Sequence, residues 1–335
     1  MIDLRIGDCI ERMKEMEDNS IDFIVCDPPY ELTNEKNTED AKKAGKGFMG
    51  KAWDGTGIAF NTEMWKEAYR ILKPNGYCLA FSGTRTYHRM AKAIEEAEFE
   101  IQGISEWVYS TGFPKALDIS KALDKKLGAK REVVGEYKQH NVKGTRFNTD
   151  AGSPEYITLD VTKPSSDIAK LYEGYKTSLK PSHETIVIAR KLSANNIAPI
   201  NFLPFVYCAK ASKKERNGDI YGNAIDGELK QKIFNGKSNK SSDEMKDVEK
   251  RFTTQPAVNN HPTVKPLKIM KKCAEQVIKD KDITILDMFA GSGSTGVAIE
   301  QLNIETGSNH KCILIEREKE YIEIIKKRCC IEELA

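Results

Sequence analysis

Apolar and polar positions fall into short blocks that predict strands alternating with helices. Ile283-Thr-Ile-Leu-Asp287 is a short apolar run ending on an acid, followed by Met-Phe-Ala-Gly-Ser-Gly-Ser-Thr-Gly296 and a helical stretch from Val297 to Leu302. Lys311-Cys-Ile-Leu-Ile-Glu316 repeats the strand pattern and again ends on an acid, and Tyr321 to Arg328 has helical spacing. Two such strand–helix units make half of a doubly wound nucleotide-binding sheet. Half a sheet leaves an edge and a face uncovered, so further strands must come from earlier in the chain.

The first hundred residues supply them. Ile2 to Ile6 is a strand closed by Gly7-Asp8, Cys9 to Met16 a helix, and Ile21-Asp-Phe-Ile-Val-Cys26 a strand running into Asp27-Pro28-Pro29-Tyr30. Thr62 to Leu72 reads as a helix stopped by Pro74-Asn75-Gly76, Tyr77 to Phe81 as a strand, and Arg85 to Ala97 as a helix. Glu100 to Tyr109 is a strand, with Glu184 to Arg190 as its antiparallel partner. The expected fold is α/β, a doubly wound, mostly parallel, Rossmann-like sheet assembled from both ends of the chain. Residues 111–180 and 191–260, rich in Lys, Gly, Ser and Asn, break the alternation and are expected to be insertions off one edge, folded or disordered on composition alone. The organisation is thus 1–110, an insertion at 111–180, a returning strand at 181–190, a second insertion at 191–260, and 261–335.

Composition narrows the class. With 335 residues, 39% hydrophobic and 30% charged, the chain has the make-up of an ordinary water-facing protein. No apolar run reaches the roughly 18 residues a membrane helix requires. The first residues lack the layout of a secretory signal, so a cytoplasmic location is expected. Eight cysteines without a C-x-x-C pair read as free thiols in a reducing compartment, and no metal site is expected. His88, His140, His183 and His310 show no ligand spacing. A net charge of +2, from 52 basic and 50 acidic residues, does not identify nucleic acid as a partner. Local clusters have to carry that argument.

Two motifs carry chemistry. Gly291-x-Gly293-x-x-Gly296 lies between a strand and a helix, with Glu316 placed 20 residues beyond Gly296. Glycines let the backbone approach a ligand, the helix start offers N–H groups to an anion, and an acid after the next strand can accept from ribose hydroxyls. Both NAD and S-adenosylmethionine suit such a loop, and the loop does not choose between them. Asp287 either binds the cofactor's amino group or caps the helix.

The second motif, Asp27-Pro28-Pro29-Tyr30, sits at a strand end where open α/β sheets bind ligands. The prolines fix φ and hold the Asp27 carboxylate and Pro28 carbonyl ready to accept both hydrogens of one NH₂ group. An exocyclic amine is a poor nucleophile because its lone pair is delocalised into the ring; accepting both hydrogens localises that pair toward an electrophilic methyl. Tyr30 offers a face for a flat base, which must first rotate out of a duplex.

Asp27-Pro-Pro-Tyr30, His261-Pro-Thr-Val-Lys-Pro266 and Asp287-Met-Phe-Ala-Gly-Ser-Gly293, in this order, resemble the motifs of the β-class DNA amino-methyltransferases, whose catalytic half precedes the cofactor half. Met288 departs from the proline usual there. The resemblance implies that Asp27, Pro28, Pro29 and Tyr30 form the catalytic site for a flipped base. It further implies that Asp27, Phe289, Gly291 and Gly293 line S-adenosylmethionine, with Asp287 beside them. Glu316 would bind the ribose and Asp8 the adenine of the cofactor. Thr263 and Lys265 would lie near its methionine carboxylate, before a helix from Pro266 to Lys279 with an apolar stripe of Leu267, Met270, Ala274, Val277 and Ile278. Aspartate at position 27 goes mainly with adenine N6 in this family, serine with cytosine N4, and both insertions correspond to its target-recognition region. Double-stranded DNA is the expected partner, and a homodimer is expected of the family.

Two basic regions suit phosphates: Lys42, Lys43, Lys46 and Lys51 with Phe48, Trp53 and Asp54 in the loop 31–59, and Lys210, Lys213, Lys214 and Arg216. An NAD-dependent oxidoreductase leaves Asp27-Pro-Pro-Tyr30 unexplained. A methyltransferase acting on RNA or on a protein glutamine, and an inactive DNA-binding protein, are the remaining alternatives.

Overall fold

The computed structural model describes residues 1–31, 55–110, 117–140, 156–177, 182–193, 203–221, 259, 261–278 and 281–331. They divide into two units, one made of Met1–Thr111 with Ser182–Ala335 and the other of Gly112–Pro181.

The first unit is built on eight strands: β1 (Ile2–Ile6), β2 (Ile21–Cys26), β3 (Leu72–Ser82), β4 (Glu100–Val108), β7 (His183–Arg190), β8 (Phe205–Tyr207), β9 (Thr284–Asp287) and β10 (Lys311–Glu316). Their order is β1-β10-β9-β2-β3-β7-β4-β8, and only β7 runs antiparallel to its neighbours. β7 lies between β3 and β4, so it pairs with both rather than with Glu100–Tyr109 alone. β9 and β10 sit between β1 and β2, which makes the sheet a joint product of both chain ends.

The helices of this unit are α1 (Cys9–Lys14), α2 (Thr62–Ile71), α3 (Tyr87–Glu96), α6 (Lys213–Arg216), α7 (Leu267–Glu275), α8 (Ser294–Thr306) and α9 (Lys319–Arg328). Side chains alternate across the central strands. Phe23, Val25, Leu79, Phe81, Ile186, Ile188, Ile285 and Leu314 pack on one face with residues of α7, α8 and α9. Ile24, Cys26, Cys78, Ala80, Val187, Leu286 and Ile313 pack on the other with α1, α2 and α3. A sheet covered on both faces explains why β2, β3 and β10 read as continuous apolar runs. Each large apolar side chain so buried contributes roughly 1.5–3 kcal/mol.

One boundary differs from the pattern. α2 ends at Ile71, and Leu72 already pairs with Ile21, so Pro74-Asn75-Gly76 lies inside β3 as an irregularity rather than before it. Asn75 takes a left-handed φ of 67° and accepts from Arg190 Nη2 at 2.5 Å, which ties the bulge to β7. A Cβ on Gly76 would meet Leu72 and the Lys73 carbonyl at 2.8 Å. The second insertion also gives up a piece to the sheet, since Phe205–Tyr207 pairs in parallel with β4.

The second unit contains α4 (Ile119–Leu127), the antiparallel pair β5 (Glu132–His140) and β6 (Tyr156–Lys163), and α5 (Asp167–Leu171). Asp124, 1% exposed, accepts from Arg131 Nη1 at 2.6 Å, from the Ser165 and Ser166 amides at 3.0 Å and from Ser166 Oγ at 2.7 Å. Burial favours its neutral form, but these donors outweigh it and hold the carboxyl well below its usual range. A paired carboxylate of this kind is a folded interior, so the described part of 111–180 is ordered.

All eight cysteines are free thiols, seven of them buried. Among the described residues, no helix is long and apolar enough to cross a membrane.

Candidate active site

β2 and β9 run parallel, with Phe23 opposite Ile285 and Ile24 opposite Leu286. The turns that follow them, starting at Asp27 and at Met288, therefore leave the same edge of the sheet side by side. β10 is next, with Leu314 opposite Asp287, and β1 follows, with Ile6 opposite Glu316. The Gly7 amide donates to the Glu316 carbonyl at 2.9 Å, which brings Asp8 to the same edge.

The Asp27–Tyr30 turn is held by both neighbours and partners. Thr86 Oγ1 donates to the Tyr30 carbonyl at 2.8 Å. Glu31, at a left-handed φ of 52°, accepts from the Gly57 amide at 2.7 Å. The segment carrying Lys42, Lys43, Lys46, Phe48, Lys51, Trp53 and Asp54 lies outside the described residues.

Lys265 Nζ donates to Asp27 Oδ2 at 2.5 Å and lies 3.3 Å from Glu184 Oε2. Tyr30 donates its hydroxyl to that same Glu184 oxygen at 2.6 Å, and Lys210 Nζ donates to Glu184 Oε1 at 3.4 Å. The Lys265 ammonium also stands 5.2 Å from the ring centre of Tyr30, 5.3 Å from that of Phe81 and 5.8 Å from that of Trp107. Asp27 Oδ1 is buried and accepts no hydrogen bond among the described residues. Burial raises the Asp27 carboxyl above its ordinary value, Lys265 opposes this and Glu184 adds to it. Burial alone would raise Glu184 as well, but Lys265 and Lys210 bring it below its usual value. Lys265 is disfavoured as a cation by burial, and the two carboxylates reverse that and raise it.

The glycine turn shows why its residues are what they are. Gly291 and Gly293 adopt φ of 54° and 78°, and a Cβ on Gly291 would lie 2.9 Å from His261 Nε2. A Cβ on Gly296 would meet Leu314 of β10 at 2.8 Å, so this glycine lets α8 lie close on the sheet. The N-cap of α8 is Gly293, with no side-chain cap. Glu316 accepts from the Gly291 amide at 2.7 Å and from the Arg317 and Glu318 amides at 2.9 and 2.8 Å. Burial pushes its carboxyl up to about 7 despite these amides. Asp287 accepts from the Phe289 amide at 3.0 Å and from Thr295 Oγ1, and burial raises it to about 7 too. Both Asp287 oxygens thus brace the turn and the first turn of α8. Phe289 is half-buried against the α1–α3 side of the sheet.

Other expected residues fall less simply. Asp8 Oδ1 caps α1, accepting from the Ile10 amide at 2.9 Å and the Glu11 amide at 3.4 Å. Thr263 is exposed, and its amide donates to His261 Nδ1 at 3.4 Å. Lys265 pairs with the carboxylates of Asp27 in the turn and of Glu184 on β7. Pro266 is the N-cap of α7, not its first helical residue, and Val277 and Ile278 lie past the end of α7 at Glu275. The cluster at 210–216 divides: Lys210 points to Glu184 and over the Tyr109 ring at 4.2 Å, and Arg216 donates to the His261 carbonyl at 2.5 Å. Lys210 remains exposed, whereas Arg216 is half-buried.

Two residues were missed. Glu184 lies near the start of β7, just before the apolar run Ile186–Ala189, and no spacing singled it out. Arg328, fully buried in α9, donates to the Ser292 carbonyl at 2.8 Å, to Ser292 Oγ at 3.0 Å, to Ser294 Oγ at 3.2 Å and to the Gly218 carbonyl at 3.1 Å. Burial lowers it to about 10, and no sequence spacing marks it.

A family profile described as DNA methylase, covering adenine N6 and cytosine N4 enzymes, matches residues 21–327. The chain belongs to this family. It is thereby an S-adenosylmethionine-dependent DNA methyltransferase, which removes the NAD reading of the glycine loop. The DNA methylase is similar to the Type II methyltransferase M2.MboI of Moraxella bovis, 26% identical over 96% of this chain and 85% of that one. M2.LlaDCHI of Lactococcus lactis subsp. cremoris is 23% identical over 96% and 87%. The fold of this chain is shared with the PvuII DNA methyltransferase, described as cytosine-N4-specific, at a TM-score of 0.53 and 14% identity over 100% of this chain and 88% of that one.

Proposed function

We propose that this DNA methylase transfers a methyl group to the N6 amine of an adenine flipped out of double-stranded DNA. The observation that carries the reading is Asp27 Oδ1, a buried acceptor without a donor among the described residues, at the edge shared by the two motifs. A buried acceptor is costly to leave unpaired, so its environment favours a ligand that brings an N–H.

The residues fit the cofactor. Left-handed glycines at 291 and 293, an α8 start without a side-chain cap and a buried acid at the end of β10 together suit an amino acid joined to a nucleoside. Gly291, Gly293 and Phe289 would line it, Glu316 would hold its ribose and Asp8 its adenine. When bound, S-adenosylmethionine supplies an electrophilic methyl carried on a sulfonium. Asp27 and the Pro28 carbonyl accept the two amine hydrogens and localise the nitrogen lone pair. Tyr30 stacks on the base. Asp27, its affinity for protons already raised by burial, then takes the proton the methylated nitrogen sheds.

Asp27 itself supports adenine over cytosine through the family's preference. Asp27→Ala is expected to abolish methylation while leaving cofactor binding within about threefold of wild type. Nucleoside analysis of DNA methylated by the enzyme separates N6-methyladenine from N4-methylcytosine, and the cytosine product would refute the adenine assignment.

A further inference from the structure

We propose that Glu184 is a positioning residue for methyl transfer, clamping the Tyr30 hydroxyl and the Lys265 ammonium so that Asp27 presents Oδ1 to the substrate amine. The inference rests on the reading of Asp27 as the amine acceptor.

Glu184 lies on the same side of β7 as Ile186 and Ile188, which belong to the apolar layer over α7–α9. An acid there is expensive unless it is paired. It is paired three ways, by Tyr30 at 2.6 Å and Lys265 at 3.3 Å on Oε2, and by Lys210 at 3.4 Å on Oε1. The donors come from after β2, from before α7 and from after β8, so one carboxylate gathers three separate parts of the chain. Among the described residues, the remaining titratable groups facing it are Asp27 and the Tyr109 hydroxyl.

The geometry gives this gathering a purpose. An ammonium on a four-carbon stem can straddle both oxygens of a carboxylate. With Glu184 Oε2 also drawing it at 3.3 Å, Lys265 donates to Oδ2 of Asp27, and Oδ1 has no donor among the described residues. The same Glu184 oxygen fixes the polar end of Tyr30, whose ring is the stacking surface. Orientation of this kind acts on turnover more than on binding, since misplacing reacting atoms by about 1 Å can cost on the order of 100-fold.

A purely structural role and a positioning role differ in their pH behaviour. Glu184 raises Asp27 and Lys265 alike. Removing its charge therefore lowers both, and activity that needs ionised Asp27 persists to lower pH.

The test compares Glu184→Gln, Tyr30→Phe and Asp27→Asn in the full-length enzyme, with kcat, the KM for DNA, calorimetric binding of S-adenosylmethionine, and pH–rate profiles. Glu184→Gln is expected to lower kcat by roughly 10- to 100-fold, to keep both binding constants within about threefold, and to shift the acid limb to lower pH. An unchanged kcat, or a reduced one with an unmoved acid limb, overturns the proposal. If Glu184→Gln does not fold, Tyr30→Phe decides: it keeps the ring and loses only the clamp, and wild-type kcat in that variant overturns the proposal. Turnover surviving in Asp27→Asn brings down the amine-acceptor reading and this inference together. An inactive Asp27→Asn beside a wild-type-like Glu184→Gln removes Glu184 alone.

Discussion

Lys265 Nζ sits 2.5 Å from Asp27 Oδ2 although 238 residues separate the two in sequence. The side chains are 6% and 18% exposed, so the pair is largely withdrawn from water. A shielded ion pair stabilises modestly as a unit but strands a charge when one member is lost.

Lys265→Met should therefore destabilise the fold by about 3–5 kcal/mol, read as a lower thermal midpoint. It should also raise Asp27 further, because Lys265 is the group opposing burial there. The acid limb of the pH–rate profile then moves to higher pH, the opposite direction from Glu184→Gln. A midpoint and a limb matching wild type would show that the pair is incidental.

Glu316 should make cofactor affinity pH-dependent. Its folded value of about 7 is above its ordinary 4.5, so as an isolated group it stabilises the fold most below pH 4.5, and that contribution fades as pH rises through 7. Accepting from ribose hydroxyls needs the ionised form. Affinity for S-adenosylmethionine is thus expected to weaken below pH 7 by up to about tenfold per unit. Calorimetry at pH 6 and 8 reads this, and Glu316→Gln should flatten the dependence while weakening binding at pH 8; a dependence of the same size in that variant would point to Asp287, also raised to about 7.

Gly291→Ala should impair cofactor binding more than stability. A left-handed φ costs a side-chain-bearing residue roughly 1–2 kcal/mol, and the new methyl would press on His261 Nε2 at 2.9 Å. His261 packs edge-on against Tyr321 at 4.5 Å, so it has little freedom to retreat. Binding measured by calorimetry should fall at least about tenfold; unimpaired binding would mean the turn does not meet the ligand.

Arg328 links Ser292 and Ser294 of the glycine turn to Gly218. Arg328→Lys keeps the charge but not the fork of donors. Cofactor affinity should drop by about tenfold, with the DNA KM measured at saturating cofactor unchanged. Equal losses in both would mark a general loss of folding.

The apolar runs of β2, β3 and β10 made the strands legible because burial on both faces leaves a continuous signal. The Asp27–Tyr30 turn and the glycine turn were legible because their backbones demand proline and glycine. Glu184 and Arg328 were not, because their roles come from partners far along the chain that no local spacing encodes. The Pro74-Asn75-Gly76 irregularity misled for a related reason: a stop signal for a helix and a bulge in a strand use the same residues, and contacts distant in sequence distinguish them, Leu72 with Ile21 and Asn75 with Arg190 and Lys191.

The placement of β9 and β10 between β1 and β2 has a cost during biosynthesis. Until the ribosome has delivered Lys311–Glu316, β1 lacks a partner and β2 offers an open edge to any neighbouring chain. The centre of the sheet closes only through pairings as distant in sequence as Ile2 with Cys312, and long-range pairings of this kind form slowly and leave strand edges exposed in the meantime.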